Sequence, residues 1–228
     1  GGLAGDALTT GSDNVAIGAN ALSTEDTGGR NVAVGRGTLQ NQNVDSSAYN
    51  VAIGYEAGND ITTGVNNVIM GGLAGDALTT GAYNIAIGYQ ALSSEDTGSV
   101  SIGIGYYALQ AQNNASNNYN IAIGHSAGAA ITSGTQNTLI GGLAGTALTI
   151  GNSNVAMGMQ ALSTSVDGDY NTAIGYRALQ DYEDGDGNGH NTAVGGDSQL
   201  NASTGEFNTS LGSMSIGSGV TTGDYNIA

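Results

Sequence analysis

The chain has 228 residues, 40 of them glycine, with no proline or cysteine, and carries 3 basic against 19 acidic side chains, a formal net charge of −16. That balance excludes the basic footprint of a nucleic-acid binder and adhesion to anionic membrane by charge alone. The absence of cysteine excludes a disulfide scaffold and thiolate chemistry, and no apolar run approaches the roughly 20 residues of a membrane helix, so no membrane insertion is expected.

In chain order, the first signal is Gly1 to Gly11, GGLAGDALTTG, which returns unchanged from Gly71 and with two changes from Gly141. A shorter period lies inside this one of about 70 residues. Asn14-Val15-Ala16-Ile17-Gly18 is followed by equivalent segments starting at Asn31, Asn50, Asn67, Asn84, Ser101, Asn120, Asn137, Asn154, Asn171, Asn191 and Asn208, with Asn226 opening a truncated copy. The spacings run from 17 to 20 residues. The chain therefore divides into long units 1–70, 71–140, 141–211 and a shortened 212–228. Read as one solenoid segment, it is expected to be a fragment of a longer polypeptide.

Each short unit follows the pattern T-G-x-x-N-(large)-A-(large)-G-x-x-A-L. Two large residues flank a small one with period 2, a strand signal, and Val, Ile and Thr suit strands. Gly, Asn, Asp, Ser and Thr between these segments are turn formers. A strand of about five residues, a turn, a second short apolar element around Leu22, Leu39, Ile61 or Leu78, and another turn fill the unit. No helix fits. Strands stacked about 4.8 Å apart predict an all-β parallel β-solenoid of about twelve rungs, each stabilised by its neighbours.

Two assignments of the strand faces are open. In the first, Val15 and Ile17 point inward and the small residue outward. A stripe of Ala16, Ala33, Ala52, Ala86, Ala122, Ala156, Ala173 and Ala193, broken by Ile69, Gly103 and Leu139, then forms the interface with further copies. In the second, Ala lies inside and the Val/Ile pairs form the interface. Either way both strand faces are apolar, and a lone solenoid leaves one exposed, so a homo-oligomer of parallel rods in register is expected. The strand-initial residues Asn14, Asn31, Asn50, Asn67, Asn84, Asn120, Asn137, Asn154, Asn171, Asn191 and Asn208 read either as turn formers or as a structural ladder of stacked amides, interrupted at Ser101.

The NVAIG segments resemble the N-x-V-A-I-G head repeats of trimeric autotransporter adhesins, the YadA-like or haemagglutinin type. Asn171 to Leu179, NTAIGYRAL, and Asn84 to Leu92 resemble the N-T-A-I-G-Y-x-A-L repeats of phage tail-fibre proteins. The likeness spans the whole chain. It implies a left-handed parallel β-roll, a homotrimer and an extracellular role in surface attachment, on a virion fibre or a bacterial cell surface, with a host or surface receptor and glycan as a candidate ligand. The rungs here are longer than those of the usual adhesin head, which favours the phage-fibre type and predicts outward loops for the extra residues.

Little in the sequence points to catalysis. His125 and His190 are far apart, and His125 takes a surface position where other units carry Tyr. GGLAGDAL opens no helix and has no following Lys, so it is not a phosphate loop. Uniform repeats leave no unique cleft, and the chain is not expected to be an enzyme or to need a cofactor. Tyrosines recur just after the strand glycine (Tyr55, Tyr89, Tyr106, Tyr176) and just before the strand asparagine (Tyr49, Tyr83, Tyr119, Tyr170, Tyr225). They read as rings packed over adjacent rungs or as a sugar-stacking surface. Asp184, Asp186 and Asn188 match the first half of a D-x-D-x-N-G calcium loop, without its bidentate Glu. They read as a solvated acidic turn or as a metal site, with Ca²⁺ the candidate ion. The leading expectation is an adhesive fibre segment. The alternative is a ligand-binding solenoid with a glycan- or ice-binding face.

Overall fold

A computed structural model describes residues 1–182, 189–216 and 222–228. It is all-β: among the described residues there are twelve parallel strands and no helix. The chain forms two compact units, Gly1–Asn118 and Tyr119–Ala228. The first holds β1 (Val15–Ile17), β2 (Val32–Val34), β3 (Val51–Ile53), β4 (Val68–Met70), β5 (Ile85–Ile87) and β6 (Ile102–Ile104). The second holds β7 (Ile121–Ile123), β8 (Thr138–Ile140), β9 (Val155–Met157), β10 (Thr172–Ile174), β11 (Thr192–Val194) and β12 (Thr209–Leu211). Within each unit every strand pairs in parallel with the next at equivalent positions, as Val32 with Val51, Ala33 with Ala52 and Val34 with Ile53. Each unit is thus a β-solenoid built from the short repeat.

The strands are shorter than the pattern suggested, three residues each. The second apolar element is a corner. Leu22, Leu39, Leu92 and Leu109 have φ between 47° and 54°, the left-handed region that costs a side-chain-bearing residue about 1–2 kcal/mol. Their side chains are wholly buried, and the amides of Leu22, Leu39 and Leu92 bond to the following coil, Leu22 N–H to Thr38 O at 3.0 Å and Leu92 N–H to Ala108 O at 3.0 Å. Burial of about 1.5–3 kcal/mol per leucine offsets the backbone strain. The glycine that ends each strand also has positive φ, 139° at Gly35 and 140° at Gly54. A Cβ at Gly35 would overlap the carbonyl oxygen of Gly54 directly above it, so this corner admits no side chain.

Burial decides between the two strand assignments. Ala33, Ala52, Ala86, Ala122, Ala156, Ala173 and Ala193 are 0% exposed within a single chain, and Ala16, in the first coil, is half-buried. The outward assignment of this alanine stripe is therefore corrected: it lines the interior, facing the corner leucines, and the flanking Val and Ile point out. The cause is room. The coil is so flat that methyl against leucine fills it. Where a larger residue takes the strand position, the opposite corner gives way. A Cβ at Gly75 would meet Ile69 Cδ1 at 3.3 Å, and one at Gly145 would meet Leu139 Cδ2 at 2.9 Å. Volume is conserved across the coil, as close packing requires.

The strand-initial asparagines form a continuous run of bonds inside each unit. Each Oδ1 accepts the backbone N–H of the equivalent residue one coil on, as from Asn50 to Asn67 (2.8 Å), Asn67 to Asn84 (2.9 Å), Asn137 to Asn154 (3.0 Å) and Asn191 to Asn208 (2.9 Å). Most Nδ2 groups donate to the glycine carbonyl fourteen residues ahead, Asn67 to Gly81 at 2.9 Å and Asn137 to Gly151 at 2.8 Å, whereas Asn31 Nδ2 turns back to Gly29 O and Asn14 Oδ1 and the Nδ2 atoms of Asn171 and Asn208 are buried without a partner among the described residues. Ser101 keeps the amide contact to Asn84 Oδ1 at 3.0 Å, and its short hydroxyl is met by Gln112 Nε2 at 2.9 Å.

Replacing Asn67 with alanine strands two buried partners, the Asn84 amide and the Gly81 carbonyl. At about 1–3 kcal/mol for each unsatisfied group, Asn67→Ala is expected to lower the denaturation midpoint and speed amide exchange in the coils around Asn67 and Asn84. Peptide-resolved hydrogen exchange checks this; unchanged protection there would show that the side chain is only a turn former.

Candidate functional site: the outward sheet face and its flanks

The outward positions of the strands make two columns. In the first unit these are Val15, Val32, Val51, Val68, Ile85 and Ile102, and beside them Ile17, Val34, Ile53, Met70, Ile87 and Ile104. All twelve are apolar. In the second unit one column stays apolar, from Ile123 to Leu211, while the other turns to threonine at Thr138, Thr172, Thr192 and Thr209. Ile53, Met70, Ile123, Met157 and Ile174 expose 36 to 39% of their surface. An uninterrupted apolar sheet face without a single charge is unusual for a surface open to water.

The flanks carry the aromatic and cationic groups. All three basic side chains of the chain are arginines on tyrosine. Arg30 lies 5.4 Å from the Tyr49 ring centroid and donates to its hydroxyl at 2.6 Å. Arg36 lies 5.4 Å from the Tyr55 centroid, donates to its hydroxyl at 2.9 Å and pairs with Glu56 at 3.0 Å. Arg177 lies 4.8 Å from the Tyr176 centroid and pairs with Asp197 at 2.8 Å. Before the strand asparagine, Tyr170, His190, Phe207 and Tyr225 stack at 4.8, 4.8 and 5.0 Å with ring planes within 6° of parallel. This stack turns ring faces toward one another and edges to solvent, so here the rings pack over adjacent rungs, and the interior rings offer a sugar no face. His190 and Phe207, which a tyrosine pattern overlooks, complete it.

Two buried carboxylates escaped the sequence reading. Glu25 is 0% exposed and accepts from Gly28 N–H at 2.7 Å, Gln42 Nε2 at 2.9 Å and Val44 N–H at 3.2 Å. Glu95 repeats this 70 residues later, with Gly98 N–H at 2.8 Å, Gln112 Nε2 at 2.9 Å and Asn118 Nδ2 at 3.0 Å. The two-residue-longer coils thus do not simply loop outward. They fold Gln42 and Gln112 inward onto the glutamate of the coil beneath, where a dense set of donors satisfies the charge. The signal was present: E-D-T-G precedes each 19-residue spacing in the first two long repeats and is replaced by Ser165-Val166-Asp167-Gly168 before the 20-residue one.

Asp184, Asp186 and Asn188 lie outside the described residues. Among the described residues no group of three or more His, Cys, Asp or Glu is placed to hold a metal ion, and no helix is long and apolar enough to cross a membrane. His125 is exposed. With this geometry in view, the chain matches no protein-family description, no curated protein and no solved structure.

The Asp76 carboxyl is displaced from its ordinary range. Burial raises the pKa of Asp76; its own backbone amide opposes this in part, and the nearby charges of Asp60 and Glu56 raise it further. A carboxyl whose folded pKa lies above its unfolded one is least favourable when ionised. Its cost is full above the folded pKa and disappears as pH falls to the unfolded value of about 3.9. Asp76→Asn is therefore expected to raise the melting temperature at pH 7, with the gain shrinking as pH drops toward 4. Melting curves of both proteins across that range check this; a gain independent of pH would place its cause elsewhere.

Proposed function

We propose that this chain is a structural and adhesive fibre segment: a repeat-built element that associates with two further copies through its outward sheet face and presents its flanks to a host or other surface. The observation that carries the reading is the uncharged double column of Val, Ile and Met, repeated at every strand of the first unit. Removing such a face from water contributes about 25 cal/mol per Å² of apolar area. Identical coils bring identical residues to each level of neighbouring copies, so register repeats automatically. Three copies, an extracellular setting and a place on a virion fibre or bacterial surface follow from the likeness to adhesin-head and tail-fibre repeats. Repetition without a unique cleft argues against an enzyme.

The threonines at Thr172, Thr192 and Thr209 favour a second reading. They project from three successive strands in register, as a face that orders water or sugar would. Their neighbours Ile174, Val194 and Leu211 interrupt any Thr-x-Thr array, so the assembly reading is preferred.

Sedimentation separates the two. The parent chain is expected to run as a trimer and Ile53→Asp as a monomer with coil structure intact by circular dichroism. Ala52→Asp, one residue away but inside the coil, is expected to lose structure, because an unpaired buried charge costs several kcal/mol. A monomeric parent would overturn the assembly reading.

A further inference from the structure

Most tyrosines stand in two columns, one just after the strand glycine and one just before the strand asparagine. Of the 11 tyrosines in the chain, Tyr89 and Tyr106 are the one pair at equivalent positions of consecutive coils. Elsewhere another residue type intervenes: Asn66 between Tyr49 and Tyr83, Val100 between Tyr83 and Tyr119, Gly72 between Tyr55 and Tyr89. The Tyr89 and Tyr106 rings stack with centroids 5.6 Å apart and planes 19° from parallel. Tyr107 joins them, its centroid 5.9 Å from that of Tyr89 and 3.9 Å from that of Tyr106. Its hydroxyl donates to the Tyr106 oxygen, which raises the Tyr107 pKa above its ordinary value; partial desolvation and the Tyr106 charge raise it further. Three phenols are thus gathered in one place, and Tyr89 and Tyr106 expose 45% and 44% of their surface.

The surroundings set these rings apart chemically. Tyr49, Tyr55 and Tyr176 each carry a guanidinium on the ring, and a cation held there by the ring electrons opposes their loss. Those are all three arginines of the chain, which has no lysine, so no guanidinium lies on Tyr89 or Tyr106. Tyr170 and Tyr225 are kept apart by His190 and Phe207, and Tyr182 is 0% exposed. Tyr89 and Tyr106 therefore combine ring contact across coils with access for a dissolved oxidant. The chain has no cysteine, so no disulfide can tie one coil to the next.

We propose that Tyr89 and Tyr106 form an oxidative cross-linking site, joined by a carbon–carbon bond between ring positions ortho to their hydroxyls. The oxidant is hydrogen peroxide acting through a haem peroxidase. Each phenol gives up one electron and one proton and becomes a phenoxyl radical. The radicals couple through their ortho carbons, the hydrogens on those carbons move to the oxygens, and the peroxide takes up the two electrons and two protons and leaves as two waters. Exposed side chains change rotamer in picoseconds to nanoseconds, so the stacked rings can turn edge to edge. Tyr107 is a positioning residue that holds the Tyr106 ring through its hydroxyl. A bond from Tyr106 to Tyr107 would close a tight ring through the backbone, where Tyr107 has φ 58°, and would tie no coils together. The Tyr89–Tyr106 bond instead closes one 17-residue coil and restricts the unfolded chain as any cross-link does. Both residues belong to the unit Gly1–Asn118, and the site is complete within one chain whether or not copies associate.

The test treats the full chain with hydrogen peroxide and a haem peroxidase at neutral pH and follows dityrosine fluorescence, intact mass and peptide maps. A protease that cuts after acidic residues, applied after denaturation, cleaves at Glu95 and Asp96 and separates Tyr89 from Tyr106 unless a bond joins them. The expected product is a single chain lighter by the two hydrogens lost, with peptides from either side of Glu95 joined. Tyr89→Phe and Tyr106→Phe are each expected to lose the joined peptides, and Tyr107→Phe to keep them at lower yield. The linked chain is expected to melt at a higher temperature and to exchange amides more slowly around β5 and β6. Four results would overturn the proposal: no joined peptides from the folded chain, joined peptides that persist in a folded Tyr89→Phe or Tyr106→Phe variant, cross-links found only between chains, or the same joined peptides at equal yield from the chain oxidised in denaturant. Sedimentation of the untreated chain reports assembly separately, so failure of the cross-link and failure of the fibre reading are distinguishable.

Discussion

A coil of this protein cannot satisfy its own backbone. Amide after amide donates not within its coil but to the next or the previous one: Val32 to Asn50, Gly54 to Val34, Leu39 to Ala57, Glu56 to Arg36. Hydrogen bonding from coil to coil is the constraint from which the rest of the sequence follows. It demands that equivalent residues sit one above another, so each corner must be the same corner in every repeat. The strand-ending glycine is there because a Cβ would strike the carbonyl above it, and the asparagine because its amide both accepts from the coil above and ties down the closing glycine. An isolated coil would keep the strained corners and lose the bonds that offset them.

The same constraint makes each coil thin. With the strand and the corner separated by only a methyl and a leucine, there is no space to bury both faces of a strand. Alanine takes the inside, and the larger residues are left outside, where an isolated chain cannot cover them. The apolar outer face is thus a geometric consequence of the flat coil. Its composition differs between the units: twelve aliphatic or Met positions in Gly1–Asn118, and a threonine column replacing half of them toward the end of Tyr119–Ala228. A surface that changes in this way is suited to different contacts along one chain.

Charge is handled locally. Few ionic groups are available, and several are placed where repetition alone would leave a defect. Glu25 and Glu95 gather the loose donors of the longer coils. The three arginines each cap a tyrosine ring. Asp76 is held partly out of water beside Asp60 and Glu56, and Glu56 in turn pairs with Arg36.

Much of this was legible in the sequence. Period, strand positions, parallel stacking and the absence of helices follow from the spacing of N-x-A-x-G, because a 17-residue unit with one three-residue strand has few ways to close. What local pattern could not decide was direction. Val15-Ala16-Ile17 has two apolar faces, and period 2 is the same whichever face is inside; only the width of the closed coil, set by corner leucines with positive φ, assigns alanine to the interior. Nor does local pattern show that Gln42 turns in to Glu25, or that His190 and Phe207 continue a tyrosine stack. Those relations join residues 17 to 20 apart in the chain, and they exist only once coils lie one upon another. The sequence by itself determined the repeat and the backbone it can adopt. The tertiary structure decided which side chains meet and which face is left for a partner, because stacking, and not local preference, sets the distance across the coil.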